Sequence, residues 1–149
     1  MLYFAYGSNM DFAQLQERVG DVKDGVVGIL NGYELRFNKR SVKDEYGRAN
    51  LVAVSDAITE GVFFELTDEQ FAEMDRREGK GYKRHDVLVQ IGSDAREAQT
   101  YFSTADFVAD GLYPSDEYLE HILEGARQHN LSQVYIAKIK TLAIYTADP

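Results

Sequence analysis

The stretch GVFFELTDEQFAEMDRREGKGYKR, residues 61–84, changes its periodicity twice and so reads as three consecutive elements. Gly61 to Leu66 is a short, nearly continuous apolar run of the kind that forms a buried strand. Thr67 follows, with Gln70 three residues later, the spacing of a capping box. The helix it opens has Phe71 and Met74 as its apolar positions and runs out at Glu78-Gly79. Tyr82 then starts a new strand pattern that continues to Gln90.

Working outward, the preceding segment is rich in strand signals. Val26 to Leu30, Tyr33 to Phe37 and Leu51 to Val54 are short apolar or alternating runs, separated by Asn31-Gly32 and by Ser41 to Asn50. Asn-Gly is the dipeptide most typical of a two-residue hairpin turn, so a hairpin is expected there. Further back, Leu2 to Tyr6 reads as a buried strand entering a tight Gly7-Ser8-Asn9 loop. Asp11 is placed to cap a helix through Arg18, with Phe12, Leu15 and Val19 on one face and Gly20 as its stop. Beyond residue 84, Ala98 to Phe102 pairs with the Tyr82 strand around the turn at Gly92-Ser93-Asp94. Ser115 caps a helix with Tyr118, Leu119, Ile122 and Leu123 inward, and Leu131 to Leu142 is a final helical segment. Strands in succession with a few inserted helices predict an α+β fold on a curved mixed or antiparallel sheet. No repeat or linker divides it, so residues 1–149 are expected to form a single domain.

Composition narrows the chemistry. The absence of cysteine excludes disulfides, thiolate nucleophiles and cysteine metal sites, and fits a reducing compartment. His85, His121 and His129 are the only histidines and no two stand at i, i+4, so no metal site is expected. The first residues lack a basic leader and meet Gly7 early, and no run approaches membrane-spanning length; these point to the cytoplasm and to no membrane partner. A net charge of −9 repels a phosphate backbone, which argues against nucleic acid. Oligomeric state stays open, with a homodimer one of the arrangements allowed.

Tyr3-Phe4-Ala5-Tyr6-Gly7-Ser8-Asn9-Met10, taken with Met74-Asp75-Arg76-Arg77-Glu78-Gly79 and Gly81-Tyr82-Lys83-Arg84, resembles the signature blocks of the γ-glutamylcyclotransferase-like, AIG2-like family. Arg18, Phe37-Asn38-Lys39, Arg48-Ala49-Asn50-Leu51, Tyr101 and Pro114-Ser115 fall in the same order, and Met74 stands where leucine is usual. The resemblance implies a small β-barrel of about six strands with peripheral helices. It also implies a cofactor-independent cyclotransferase that acts on a small γ-glutamyl amine, amino acid or peptide. In that reaction the substrate's own α-amine attacks its γ-carbonyl, releasing 5-oxoproline and a free amine. Attack within one molecule needs little beyond the right rotamer. The α-amine must first lose a proton and the leaving amine must gain one, two steps that a single carboxylate can serve.

Glu78 matches the family's catalytic acid/base, beside Gly79 and Gly81 where the backbone can approach a ligand closely. The loop Tyr6, Gly7, Ser8 and Asn9 matches the substrate cradle, where amides and the Ser8 hydroxyl can hold the α-carboxylate. Tyr82 and Tyr101 match positions lining the pocket, where a phenol places one hydrogen bond over apolar packing. Arg18 could reach the anion or pair on the surface of its helix, and the surface pairing is the reading favoured; Tyr3 and His85 are given no role. The alternative from another class is a binding or regulatory module that holds a γ-glutamyl or carboxylate metabolite without turning it over. Glu78 favours the enzyme, since a pure binder has no need of a buried acid/base.

Overall fold

The computed structural model describes residues 1–145; residues 146–149, the end of the single domain expected, lie outside the described residues. Five strands close into a barrel in the order β1-β3-β2-β4-β5. They are β1 (Leu2–Ala5), β2 (Val26–Arg40), β3 (Gly47–Glu65), β4 (Tyr82–Ile91) and β5 (Asp94–Ser103). Neighbouring pairs are antiparallel except β1 and β5, which run parallel and close the barrel at Tyr3 and Gln99. Helices α1 (Phe12–Val19), α2 (Asp68–Glu78), α3 (Asp116–Gln128) and α4 (Gln133–Tyr145) lie around it. Among the described residues no helix is long and apolar enough to cross a membrane.

The strand count is five rather than about six because β2 and β3 each absorb two of the short runs seen in the sequence. Asn31-Gly32 is not a hairpin turn. Asn31 faces Ile58 and Tyr33 faces Ala53, so the ladder shifts register at Gly32 while the strand continues. Gly32 adopts φ 85°, a conformation that glycine reaches without penalty and that bends the strand at an irregularity. A second irregularity lies between Arg36, opposite Asn50, and Lys39, opposite Arg48, which leaves Phe37 and Asn38 against Ala49. Asn50 pins it from both sides. Its Nδ2 donates to Asn38 Oδ1 at 3.0 Å, and its Oδ1 accepts from the Ser103 amide at 2.9 Å.

The capping box forms as expected: Thr67 Oγ1 accepts from the Gln70 amide, and Gln70 Oε1 accepts from the Thr67 amide. Caps of this kind contribute about 1 kcal/mol. Phe71 and Met74 are fully buried by α2, each side chain contributing roughly 1.5–3 kcal/mol through apolar burial. They join Phe4, Phe37, Phe64 and Leu15 in the core. Asp11 does precede α1, but its side chain makes no cap. The Phe12 amide is met instead by Gln128 Oε1 at 3.1 Å, and Asp11 Oδ2 sits 2.7 Å from His121 Nδ1 on α3.

Candidate functional site

A cavity of about 350 Å³ opens at one end of the barrel. Two walls form it. The first is the end of β1 with its loop, α1 and the C-terminal end of α2; the second is the irregular segment of β2 and β3, faced by Tyr82 and Tyr118. Every residue singled out from the sequence lines it: Tyr6, Gly7, Ser8, Asn9, Glu78, Tyr82 and Tyr101.

On the first wall, Ser8–Met10 form a 3-10 turn closed by the Met10 amide to Gly7 O and the Asp11 amide to Ser8 O. Those bonds leave the preceding amides over. Among the described residues, the N–H groups of Gly7, Ser8 and Asn9 find no acceptor in the protein. Ser8 Oγ accepts from Gln14 Nε2 at 2.8 Å, so its own proton remains free to donate. Gly7 has φ −114°, which any residue can adopt. Its reason for being glycine is space: a Cβ there would stand 3.2 Å from Ala49 Cβ and 3.5 Å from the Tyr118 hydroxyl.

Asn9 joins the loop to the acid. Its Nδ2 lies 3.1 Å from the Tyr3 hydroxyl, 3.4 Å from Met74 Sδ and 3.5 Å from Glu78 Oε1. Its Oδ1 accepts from Arg18 Nη1 at 3.0 Å and from Gln14 Nε2 at 3.2 Å. Glu78 ends α2 with its carboxyl inside the cavity, where desolvation raises its pKa above the ordinary carboxylate value. Arg18 and Lys39 and the Asn9 amide work against that rise without cancelling it. A carboxyl tuned upward by burial, with cations nearby, is better suited to exchanging a proton than a solvated one.

The tyrosines contribute rings more than free hydroxyls. Tyr6 donates to Tyr101 O at 2.6 Å, Tyr82 to Ala49 O at 2.7 Å, and Tyr101 to Asp75 Oδ1 at 2.6 Å. Tyr82 and Tyr101 both line the cavity, and the hydrogen bond each phenol can place toward a ligand is one that it accepts. Each proton is already spent on the protein, leaving the oxygens as acceptors. Burial raises the pKa of Tyr6 and Tyr82 well above the usual phenol value, so they stay neutral. Asp75 also pairs with Arg84 at 3.2 Å, and the Asp75-to-Glu78 segment thus fixes both Tyr101 and the acid from one helical turn.

Further lining residues bear on the chemistry, among them Arg18, Tyr3, Lys39 and Arg48. Arg18 does not pair on its helix surface; it reaches inward to Asn9. Its place three residues after the buried Leu15, on the same helix face, was the available signal. Tyr3, given no role from sequence, supports Asn9. Lys39 is 5% exposed and continues the inward alternation of Leu35 and Phe37, a charged residue on the apolar face of a strand. Gly81 gives it room rather than bringing backbone to a ligand, for a Cβ on Gly81 would fall 2.6 Å from Lys39 Nζ. Arg48 lies over the Tyr118 ring at 4.7 Å, and its Nη2 is 3.1 Å from Asp44 Oδ2. Among the described residues no group of three or more His, Asp or Glu converges as metal ligands.

The sequence profile of the AIG2-like family matches residues 59–139, just over half of the chain. The chain belongs to the AIG2-like family. Compared by sequence with curated proteins, this AIG2-like chain finds no significant match. Among solved structures it superposes on a γ-glutamyl cyclotransferase with a TM-score of 0.85 at 24% identity, over 93% of this chain and 85% of that one. YkqA from Bacillus subtilis gives 0.85 at 26% identity, over 100% of this chain but 56% of that protein. A yeast γ-glutamyl cyclotransferase specific to glutathione gives 0.72 at 14%, over 99% and 97%. The AIG2-like barrel and its outer helices are thus shared with cyclotransferases. The matched segment contains Glu78, Tyr82 and Tyr101, while the amide-bearing loop precedes it.

Proposed function

We propose that the protein is a γ-glutamyl cyclotransferase that converts a γ-glutamyl amide to 5-oxoproline and a free amine. One observation carries the reading: a desolvated carboxyl, Glu78, faces three unpaired amides across a single cavity, and Asn9 ties the two together. The amides of Gly7, Ser8 and Asn9 with the Ser8 hydroxyl form a nest for the substrate α-carboxylate. Arg18 adds a positive charge on that side. With the carboxylate held there, the α-ammonium is directed toward Glu78 and toward tyrosine oxygens that have already donated their own protons.

Glu78, as carboxylate, accepts a proton from the α-ammonium. The freed amine nitrogen attacks the γ-carbonyl carbon, a new C–N bond closes the five-membered ring, and electron density moves to the carbonyl oxygen. Protonated Glu78 gives its proton to the departing nitrogen, whose bond breaks as the carbonyl re-forms; the second proton, left on the ring nitrogen by the attack, passes through Glu78 to the released amine, which departs as an ammonium. No water is consumed and Glu78 ends as it began. Asn9 and Tyr3 keep the carboxyl oriented through the cycle.

Incubation with a panel of γ-glutamyl amines, amino acids and peptides should release 5-oxoproline in equal amount with free amine. Release of glutamate instead would mean that water, not the α-amine, attacks. Tight binding of such compounds with no product of either kind would favour a metabolite-binding module.

A further inference from the structure

The second wall of the cavity holds cations that the γ-glutamyl half does not account for. Five basic residues line the cavity, Arg18, Lys39, Lys43, Arg48 and Arg77, against the single acid Glu78, in a chain whose net charge is −9. The glutamyl half carries one carboxylate, and the loop amides and Arg18 already provide for it. Arg77 is answered by Glu73 at 3.1 Å, and Lys43 is exposed. Lys39 and Arg48 remain, on β2 and β3 at the register irregularity.

Lys39 is buried at 5% exposure yet makes no hydrogen bond or ion pair with any described residue. Its ammonium lies over the rings of Tyr82 at 4.8 Å and Phe107 at 5.1 Å. Burial lowers its pKa, as expected for an ammonium short of acceptors, with the neighbouring Glu78 opposing that shift. A buried cation is costly unless something pairs with it. Arg48 gives Nη2 to Asp44, while its Nη1 is buried without an acceptor. Asp44 therefore answers one of the two charges, and with Glu78 balanced by the substrate's α-ammonium about one is left over. That is the charge of a carboxylate and less than that of a phosphate monoester.

We infer that Lys39 and Arg48 form a second anion subsite, and that the leaving amine carries a carboxylate, as an amino acid or peptide does. The inference rests on the cyclotransferase reading for the position of the glutamyl half. It assigns the two walls to the two halves of the substrate: constant glutamyl group on the loop side, carboxylate-bearing leaving group on the β2–β3 side. Plain alkylamines and cationic polyamines leave Lys39 unanswered, and polyamines add like charge beside it.

The test compares γ-glutamylalanine with γ-glutamylethylamine, which differ by that one carboxylate. Binding is read by calorimetry in the Glu78→Gln protein, which holds the ligand without converting it, so the result does not depend on turnover. γ-Glutamylalanine should bind about tenfold to a hundredfold more tightly, the worth of a charge-assisted hydrogen bond. Lys39→Met, a swap that keeps the aliphatic stem, should shrink that ratio at least fivefold. Any effect of Lys39 on Glu78 or on the glutamyl half is common to both ligands and cancels in the ratio. Equal affinities in the Glu78→Gln protein overturn the inference, and so does a Lys39→Met ratio that stays as it was. If Lys39→Met fails to fold, the ratio without it still decides. Turnover of both compounds at equal kcat/KM would sink the subsite while leaving the cyclotransferase reading intact. Selective binding of γ-glutamylalanine without any 5-oxoproline would do the reverse.

Discussion

The two walls of the cavity differ in how their polar groups are spent. On the loop wall, Ser8, Asn9, Gln14, Arg18 and Tyr3 satisfy one another in a connected network, and what is left over is backbone N–H. On the β2–β3 wall the backbone is the part that is satisfied. Ala49 receives a bond from Tyr82 at its carbonyl and gives one to the Tyr118 hydroxyl from its amide, at 2.7 and 2.9 Å. What is left over there is side-chain charge, on Lys39 and Arg48. Fixed amides suit a group that never changes, because their positions follow from the turn. Long cationic side chains suit a group that varies, because they can move to meet it. Under the proposed reaction, that contrast gives recognition to one wall and discrimination to the other.

The largest expected effect breaks the loop wall at its acid. Glu78→Gln should lower turnover by about 10²- to 10⁴-fold, the range for a general acid/base, while leaving ligand affinity within a few fold. Release of 5-oxoproline under single-turnover conditions measures it, and a rate within tenfold of wild type would remove Glu78 from the role. Next is Gly7→Val. Its side chain has to push against Ala49 and Tyr118, the point where the two walls touch, so both γ-glutamyl ligands should bind at least about a hundredfold more weakly. Unchanged calorimetric affinity would show that the loop does not hold the ligand. Ser8→Ala should be milder, at most about 1.5–3 kcal/mol, since it removes one donor and leaves three amides.

The smallest effect sharpens the comparison through stability. Burial raises the Glu78 pKa, so the folded state holds a proton that the unfolded chain releases at lower pH. The stability from neutral Glu78 is complete below the unfolded value of about 4.3 and is lost as pH rises through the raised folded value. Glutamine does not titrate and keeps that stability. The Tm of Glu78→Gln should therefore exceed that of wild type at neutral pH by a margin that closes on acidification below about pH 4. Scanning calorimetry across pH checks it, and a margin that widens toward acid would have the wrong sign.

Where the chemistry is local, the sequence was a good guide. The capping box at Thr67 and Gln70, the helix end at Glu78 and the strand pair around Gly92 needed only neighbours a few residues away. Asn31-Gly32 misled for the same reason. It is a strong local turn signal, but the partner strand supplies residues on both sides of it and makes it a bend within one strand. The functional irregularity, Phe37 and Asn38 against Ala49, carries no turn residue and depends on Asn50 and Ser103 far along the chain. The loop wall was legible because its residues lie in compact motifs. Lys39 was matched as a position but not as a pocket group, and for Arg18 the inward reading was the less favoured of two, although a lysine in line with Leu35 and Phe37 is a pattern that burial alone disfavours.

Behind the loop, helix α3 leaves no clearance. At Gly125 a single added carbon would lie 2.3 Å from the carbonyl carbon of Met10 and 2.5 Å from the Asp11 nitrogen. The turn that presents the three amides is thus braced from outside by bare backbone. The disorder that a loose loop surrenders on meeting a ligand is here surrendered when the chain folds, so a ligand of this loop would meet a finished mould. A methyl group at position 125 would press on the backbone of that turn and displace the three amides. The outer layer of the fold thereby sets the tolerance to which its interior is made.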